Sequence, residues 1–180
     1  MSYLALTLKN FGEPATALEL MELPSEEPKN SEAIVSMDAV GMHIADGLFV
    51  RGKEMITRAM PCIPGFEGVG TVSKIGTGVK NLKEGDKVLL PMGTGSMRQE
   101  LKIHASQLTK VPKPYAPDEQ LALITVNGFT AYFLLKDNAP FTRTLFRLRG
   151  QNTNYAAYEQ GCRKGTVAIN IFLGIAFIFL

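Results

Sequence analysis

Cys62 and Cys162 are the only two cysteines in 180 residues, so a disulfide framework and a four-cysteine zinc lobe are both excluded by count. A reducing, cytoplasmic compartment is the expectation. An excess of charge is missing too: 19 basic against 17 acidic side chains leave a net of +2. The signs are interspersed, whereas a surface that tracks phosphates needs clustered Lys and Arg, so no nucleic-acid partner is expected. Residues 1–9 lack a basic leader, a long apolar stretch and an Arg-rich transit pattern, and the expectation is that nothing at the front directs export. Apolar residues are not scarce, at 46% against 20% charged, which places the chain among packed globular proteins rather than disordered ones. At about 150 residues per domain, the length predicts one domain or slightly more.

Composition breaks near Asp137. Of the charges, 14 basic and 15 acidic lie in residues 1–136, and five basic with two acidic lie in 137–180. Beyond the break come Arg143, Arg147 and Arg149, then a polar stretch 151–160, then 165–180 without a charge. The expected organisation is therefore a domain over 1–136 and a divergent tail over 137–180.

In the first part the periods are short. Residues 3–9 alternate with Leu4, Leu6 and Leu8 on one face, and 18–23 continue the habit, so both read as half-buried strands. The pattern predicts strands at 32–40, 87–90, 98–103 and 107–111, a turn or two of helix at 44–50, and helices at 118–124 and 129–135. Gly65, Gly68, Gly70, Gly76 and Gly78 fit a coiled strand pair better than a phosphate loop: the G-x-G-x-x-G spacing is absent, and no periodic helix follows whose N-terminus could hold pyrophosphate. Strands at this spacing suggest a small barrel or sandwich.

The run Pro64-Gly65-Phe66-Glu67-Gly68-Val69-Gly70-Thr71-Val72, followed by Ile75-Gly76-Thr77-Gly78-Val79 and Lys83-Glu84-Gly85-Asp86-Lys87-Val88, resembles the signature of the medium-chain dehydrogenase/reductase superfamily. In the same order, 32–40 resembles the strand feeding the active site and Gly41-Met42-His43-Ile44-Ala45-Asp46 the loop after it. Gly93-Thr94-Gly95-Ser96 and Val111-Pro112 stand in their usual places, and Thr125-Val126-Asn127-Gly128-Phe129-Thr130-Ala131-Tyr132 resembles the family's Asn-Pro-x-Thr-Ala-Tyr segment. The resemblance covers about residues 1–137. It implies a mainly β fold with a few helices, a GroES-like partly open β-barrel, which the family follows with an NADPH-binding Rossmann domain.

The branch follows from what the matching positions hold. Zinc alcohol dehydrogenases bind catalytic metal with a Cys in the loop near Met42 and a His in a Gly-His-Glu triplet; here the loop has Met42 and His43, and the triplet has Phe66. Three converging protein ligands are needed, so no metal site and no zinc are expected. The remaining branch resembles quinone oxidoreductases and 2-enoyl thioester reductases, which deliver hydride from NADPH to a quinone or to the β-carbon of an activated alkene. The thioester reductases place a Tyr donor after an Arg-Gly-like pair. Here Gly52-Lys53-Glu54-Met55 follows, with no Tyr until Tyr115, which favours the quinone or broader alkene-reductase reading and a small-molecule quinone or enone substrate.

The resemblance puts His43 beside the substrate and nicotinamide; the plainer reading is a polar residue capping the helix that begins near Ala45. Both stay open. It puts Asn127 and Thr130 at the nicotinamide end of the cofactor, with Gly128 in place of the usual Pro. Asp46 reads as an acceptor for amides at the helix start, Glu67 as a structural acceptor for backbone amides, His104 as a surface strand residue and Cys62 as a small buried apolar residue. No residue is assigned as catalytic.

After Asp137 the family continues with a buried strand and a glycine-rich turn opening a helix, whereas here Asn138-Ala139-Pro140-Phe141-Thr142-Arg143 follows and no such glycine pattern occurs. The expectation is a truncated, inactive form of the reductase that binds NADPH weakly or not at all. A frameshifted gene end, a shortened module and a tail-anchored form all fit the break. The alternative function is a non-enzymatic GroES-like interaction module that offers Phe129, Tyr132, Phe133 and Leu134 to a partner. As a helix, 165–180 would reach about 24 Å against a hydrocarbon core of about 30 Å; homo-oligomer formation is expected of it ahead of weak membrane association.

Overall fold

The computed structural model describes residues 1–113, 115–138 and 176–178, and for 134–138 and 176–178 it describes the backbone. By contact the chain divides into two units, Met1–Thr125 with Gly174–Leu180, and Val126–Leu173.

The first unit is built from antiparallel strands. Elements β1 (Ser2–Leu8), α1 (Pro14–Ala17) and β2 (Leu18–Pro24) precede β3 (Glu32–Gly41), α2 (Ile44–Val50) and β4 (Glu67–Ile75). They are followed by β5 (Lys87–Leu89), β6 (Glu100–His104), β7 (Thr109–Lys110) and α3 (Asp118–Leu121), and β8 (Ala176–Ile178) completes the unit. Strands β1 and β2 form a two-stranded ribbon, and the main sheet runs β6-β3-β4-β5-β7 with β8 also on β3. The sheet is an open barrel.

Strand β3 is central because its sequence can be buried on both faces: Ala33, Ile34, Val35, Met37, Ala39 and Val40 are all inside. One edge pairs along its length with β4, with register shifts between Ile34 and Val35 and between Met37 and Ala39. The other edge is shared, Glu32–Ser36 facing β6 and Ala39–Gly41 facing β8. The main core joins Val35, Met37, Val72, Val88, Leu90 and Leu101. A second cluster fastens Leu121 and Ala122 of the α3 region to Ala39, Val69 and Leu89. A third places Phe49 and Val50 of α2 against Leu8 and Phe66.

Several expectations shift. In β1 the buried face carries Ala5 and Thr7 with Leu8, while Leu4 is 40% exposed. The strand runs along the 97–99 segment, with Leu6 N–H donating to the Met97 carbonyl and Gln99 N–H to the Leu4 carbonyl, both at 2.9 Å. The strand expected at 107–111 shrinks to β7, since Ala105–Gln107 is a 3-10 turn started by the exposed His104, whose Nδ1 lies 2.8 Å from Ser106 Oγ. The helix expected at 118–124 stops at Leu121.

Of the second unit, the described part is 126–138, which contains α4 (Phe129–Asn138). A π-helical turn, Ile124–Gly128, leads into α4. Glycine at 128 where a proline was expected leaves an amide N–H that proline lacks. Within the tail, 176–178 pair with β3; the rest of 139–180, including Cys162 and the Arg-rich stretch, lies outside the described residues. Among the described residues no helix is long and apolar enough to cross a membrane.

Candidate active site

Strand β3 ends at Gly41, and the chain turns through Met42 and His43 into α2. His43 is the N-cap residue, in extended backbone conformation, and its N–H donates to Asp46 Oδ2 at 2.8 Å. The carboxylate thus closes the start of the helix, the role its spacing suggests. Asp46 is 3% exposed. Burial raises its pKa above the ordinary carboxylate value, against the amides of His43 and Phe66, which favour the ionised form.

The ring of His43 faces Glu67, the first residue of β4. Nε2 and Oε1 are 3.0 Å apart, at ion-pair distance. Glu67 is fully buried, and the His43 side chain is 11% exposed. The Glu67 carboxylate raises the pKa of His43 above its ordinary 6.5, burial opposes that, and the Asp46 charge adds to it. Glu67 was expected to serve backbone amides; its contact with an imidazole 24 positions earlier, a spacing with no local meaning, emerges only when the end of β3 meets the start of β4.

Two neighbours fix this pair. Phe66 stands edge-on to the His43 ring, centroids 6.5 Å apart, and edge-on to Phe49 of α2 at 6.2 Å. Gly41 leaves the space that Glu67 fills: a β-carbon there would lie 2.9 Å from Glu67 Cγ and 2.8 Å from Leu123 Cδ2. The need for glycine at 41 was not foreseen.

Asn127 and Thr130 lie in the second unit, on the π-helical turn and the first turn of α4. Thr130 Oγ1 donates to the Val126 carbonyl at 2.6 Å. Asn127 Nδ2 is buried without a hydrogen-bond partner among the described residues. An orphaned amide is costly, and a carboxamide or ribose oxygen of a cofactor would satisfy it. Cys62 is half-buried, its thiol pushed up by burial and directed at the Met60 sulfur, 3.6 Å away. Among the described residues no group of three or more His, Cys, Asp or Glu side chains is placed to hold a metal ion.

Residues 29–113 match the alcohol dehydrogenase GroES-like domain. Over 136 residues the chain is 35% identical to a mitochondrial enoyl-[acyl-carrier-protein] reductase of Dictyostelium discoideum, covering 74% of this chain and 39% of that protein. It is 33% identical over 141 residues to a chloroplast envelope quinone oxidoreductase homolog of Arabidopsis thaliana, covering 75% and 42%. A mycobacterial protein solved in complex with NADPH shares the fold with a TM-score of 0.65 and 29% identity, over 79% of this chain and 42% of that one. The chain thus spans about two fifths of the length of these relatives.

Proposed function

We propose, from the premise that this chain carries the GroES-like domain of the medium-chain dehydrogenase/reductase superfamily, that Met1–Thr125 forms the substrate half of a zinc-independent, NADPH-dependent reductase of quinones or activated alkenes. The observation that carries the reading is the His43–Glu67 pair. Where the zinc enzymes of the superfamily present two metal ligands, this chain presents an imidazole held against a buried carboxylate and a phenyl ring. That arrangement orients a polar group, holds a proton on the imidazole and keeps water from its inner edge, which is what reduction of a carbonyl-activated π-system asks of a pocket.

NADPH, when bound, supplies the hydride. Of the described residues, Asn127 would hold the nicotinamide end through its orphaned amide, with Thr130 one turn further on. No helix among the described residues opens on a glycine-rich turn: α1, α2 and α3 begin after Glu13, His43 and Pro117, and α4 follows the single Gly128 at the end of the π-helical turn. Pyrophosphate binding therefore has to come from outside 1–138, and the 180-residue chain alone is expected to bind NADPH weakly and not to turn it over.

A second reading rests on the exposure of Phe129, Tyr132 and Phe133 on α4, at 49%, 49% and 51%: a non-enzymatic module that offers this face to a partner protein. Thermal unfolding of the full chain with tetramethyl-1,4-benzoquinone and with 2-cyclohexenone separates the two. The reductase reading expects stabilisation by at least one, weakened in His43→Gln, with NADPH absorbance unchanged. Stabilisation by neither favours the module, and oxidation of NADPH by the chain overturns the half-enzyme assignment.

A further inference from the structure

We infer that Arg58 and Arg98 form a binding site for a phosphate-type oxyanion carried by a small molecule. The inference is independent of the reductase reading. The two residues come from different loops, Arg58 from the segment between α2 and β4 and Arg98 from the segment leading into β6, and they meet at Gly95. A β-carbon on Gly95 would lie 3.0 Å from Arg58 Nη1, 3.1 Å from Arg98 Nη2 and 2.5 Å from the Ile63 carbonyl. Both guanidinium tips thus pack against one buried glycine, whose φ of +80° itself suits glycine, and lie within about 6 Å of one another.

Like charges are brought together here. Arg58 and Arg98 are both half-buried, and among the described residues neither forms an ion pair with a carboxylate, although Lys9, Arg51, Lys74, Lys87, Lys102 and Lys110 all do. Their partners among the described residues are neutral: Arg58 Nη1 donates to the Ile63 carbonyl at 3.2 Å, Arg98 Nε donates to the Gly95 carbonyl at 2.8 Å, and the Tyr3 hydroxyl lies by Arg98. Each guanidinium has five N–H donors, so these contacts aim the pair and leave most donors over. Burial and the neighbouring Arg58 both weigh against the charged form of Arg98, a cost that a bound anion removes. Two guanidiniums this close suit a tetrahedral, multiply charged oxyanion that accepts from both at once on their solvent side, and arginine forms such bonds in pairs.

The test uses the full chain at pH 7.5, titrated with inorganic phosphate, with chloride and with acetate at matched ionic strength, read by calorimetry and by thermal midpoint. Phosphate is expected to raise the midpoint above chloride and acetate, with binding roughly tenfold or more weaker in Arg58→Gln, the loss of charged hydrogen bonds. Arg98→Gln also loses the bond to the Gly95 carbonyl and can fail to fold; Arg58→Gln and the anion comparison stand without it. Equal shifts in phosphate and chloride overturn the site, as does unchanged phosphate binding in Arg58→Gln. An acetate shift equal to that of phosphate overturns the phosphate assignment.

Discussion

Nε2 of His43 lies 3.0 Å from Oε1 of Glu67, the carboxylate fully buried and the imidazole almost so. Folded, the chain holds the His43 proton more tightly than the unfolded chain does, because the carboxylate lies beside it. The resulting stabilisation is complete below about the ordinary value of 6.5 and is lost as pH rises through the higher folded value. Asp46 is also raised, here by burial, so its contribution too falls with rising pH, but in a lower window that begins at the ordinary 3.8. Urea midpoints between pH 4 and 9 should show both declines. Glu67→Gln should flatten the upper one and narrow the lower only slightly.

His43→Ala should cost more than loss of an exposed histidine would, because it removes the imidazole from beside a fully buried carboxylate. Breaking a buried pair from one side costs about 3–5 kcal/mol. Adding Glu67→Gln to His43→Ala should recover part of that loss. Chemical denaturation of the two variants checks the sign, and equal stability would show that Glu67 does not depend on the imidazole.

Gly41→Ala should destabilise by about 1–3 kcal/mol, the usual cost of overpacking, since its methyl would meet Leu123 Cδ2 and Glu67 Cγ within 3 Å. Leu123→Ala opens one of those two contacts. The double variant should therefore be more stable than the sum of the single losses implies, read from unfolding midpoints of the four proteins.

Lys87 ties three elements together: its Nζ lies 2.6 Å from Asp118 at the start of α3 and 3.1 Å from Asp38 in β3. Lys87→Met keeps the stem and removes the charge, and a loss of about 1.5–3 kcal/mol is expected from charged hydrogen bonds in a half-buried place. Lys9→Met, at an exposed pair with Glu19, should cost about 0–1 kcal/mol. Thermal unfolding of both variants tests the contrast.

What the residues reveal before folding depends on how local the cause is. The β3 strand and Asp46 at the start of α2 are legible because an apolar run and a three-residue spacing act within one element. The inward face of β1 is not, because alternation gives two faces and only the neighbouring 97–99 segment decides which is buried. The π-helical turn at Ile124–Gly128 escapes a 3.6-residue period by its geometry. The partnership of His43 with Glu67 and of Arg58 with Arg98 arises between loops that the sheet brings together, and no spacing encodes it. The placement of Asn127 and Thr130 toward a nicotinamide remains a proposal about the second unit.

The divided edge of β3 has a consequence in time. Glu32–Ser36 find their partner in β6, some 70 residues on, whereas Gly41 waits for Ala176, roughly 135 residues away, a longer loop and a slower closure. At about 5–20 residues per second on the ribosome, β6 is made within seconds, while the stretch that covers the end of β3 arrives roughly 4–15 s after it. For that interval the strand ending at the candidate active site shows a bare edge to the cell, and a chaperone or a second nascent copy has its opening there.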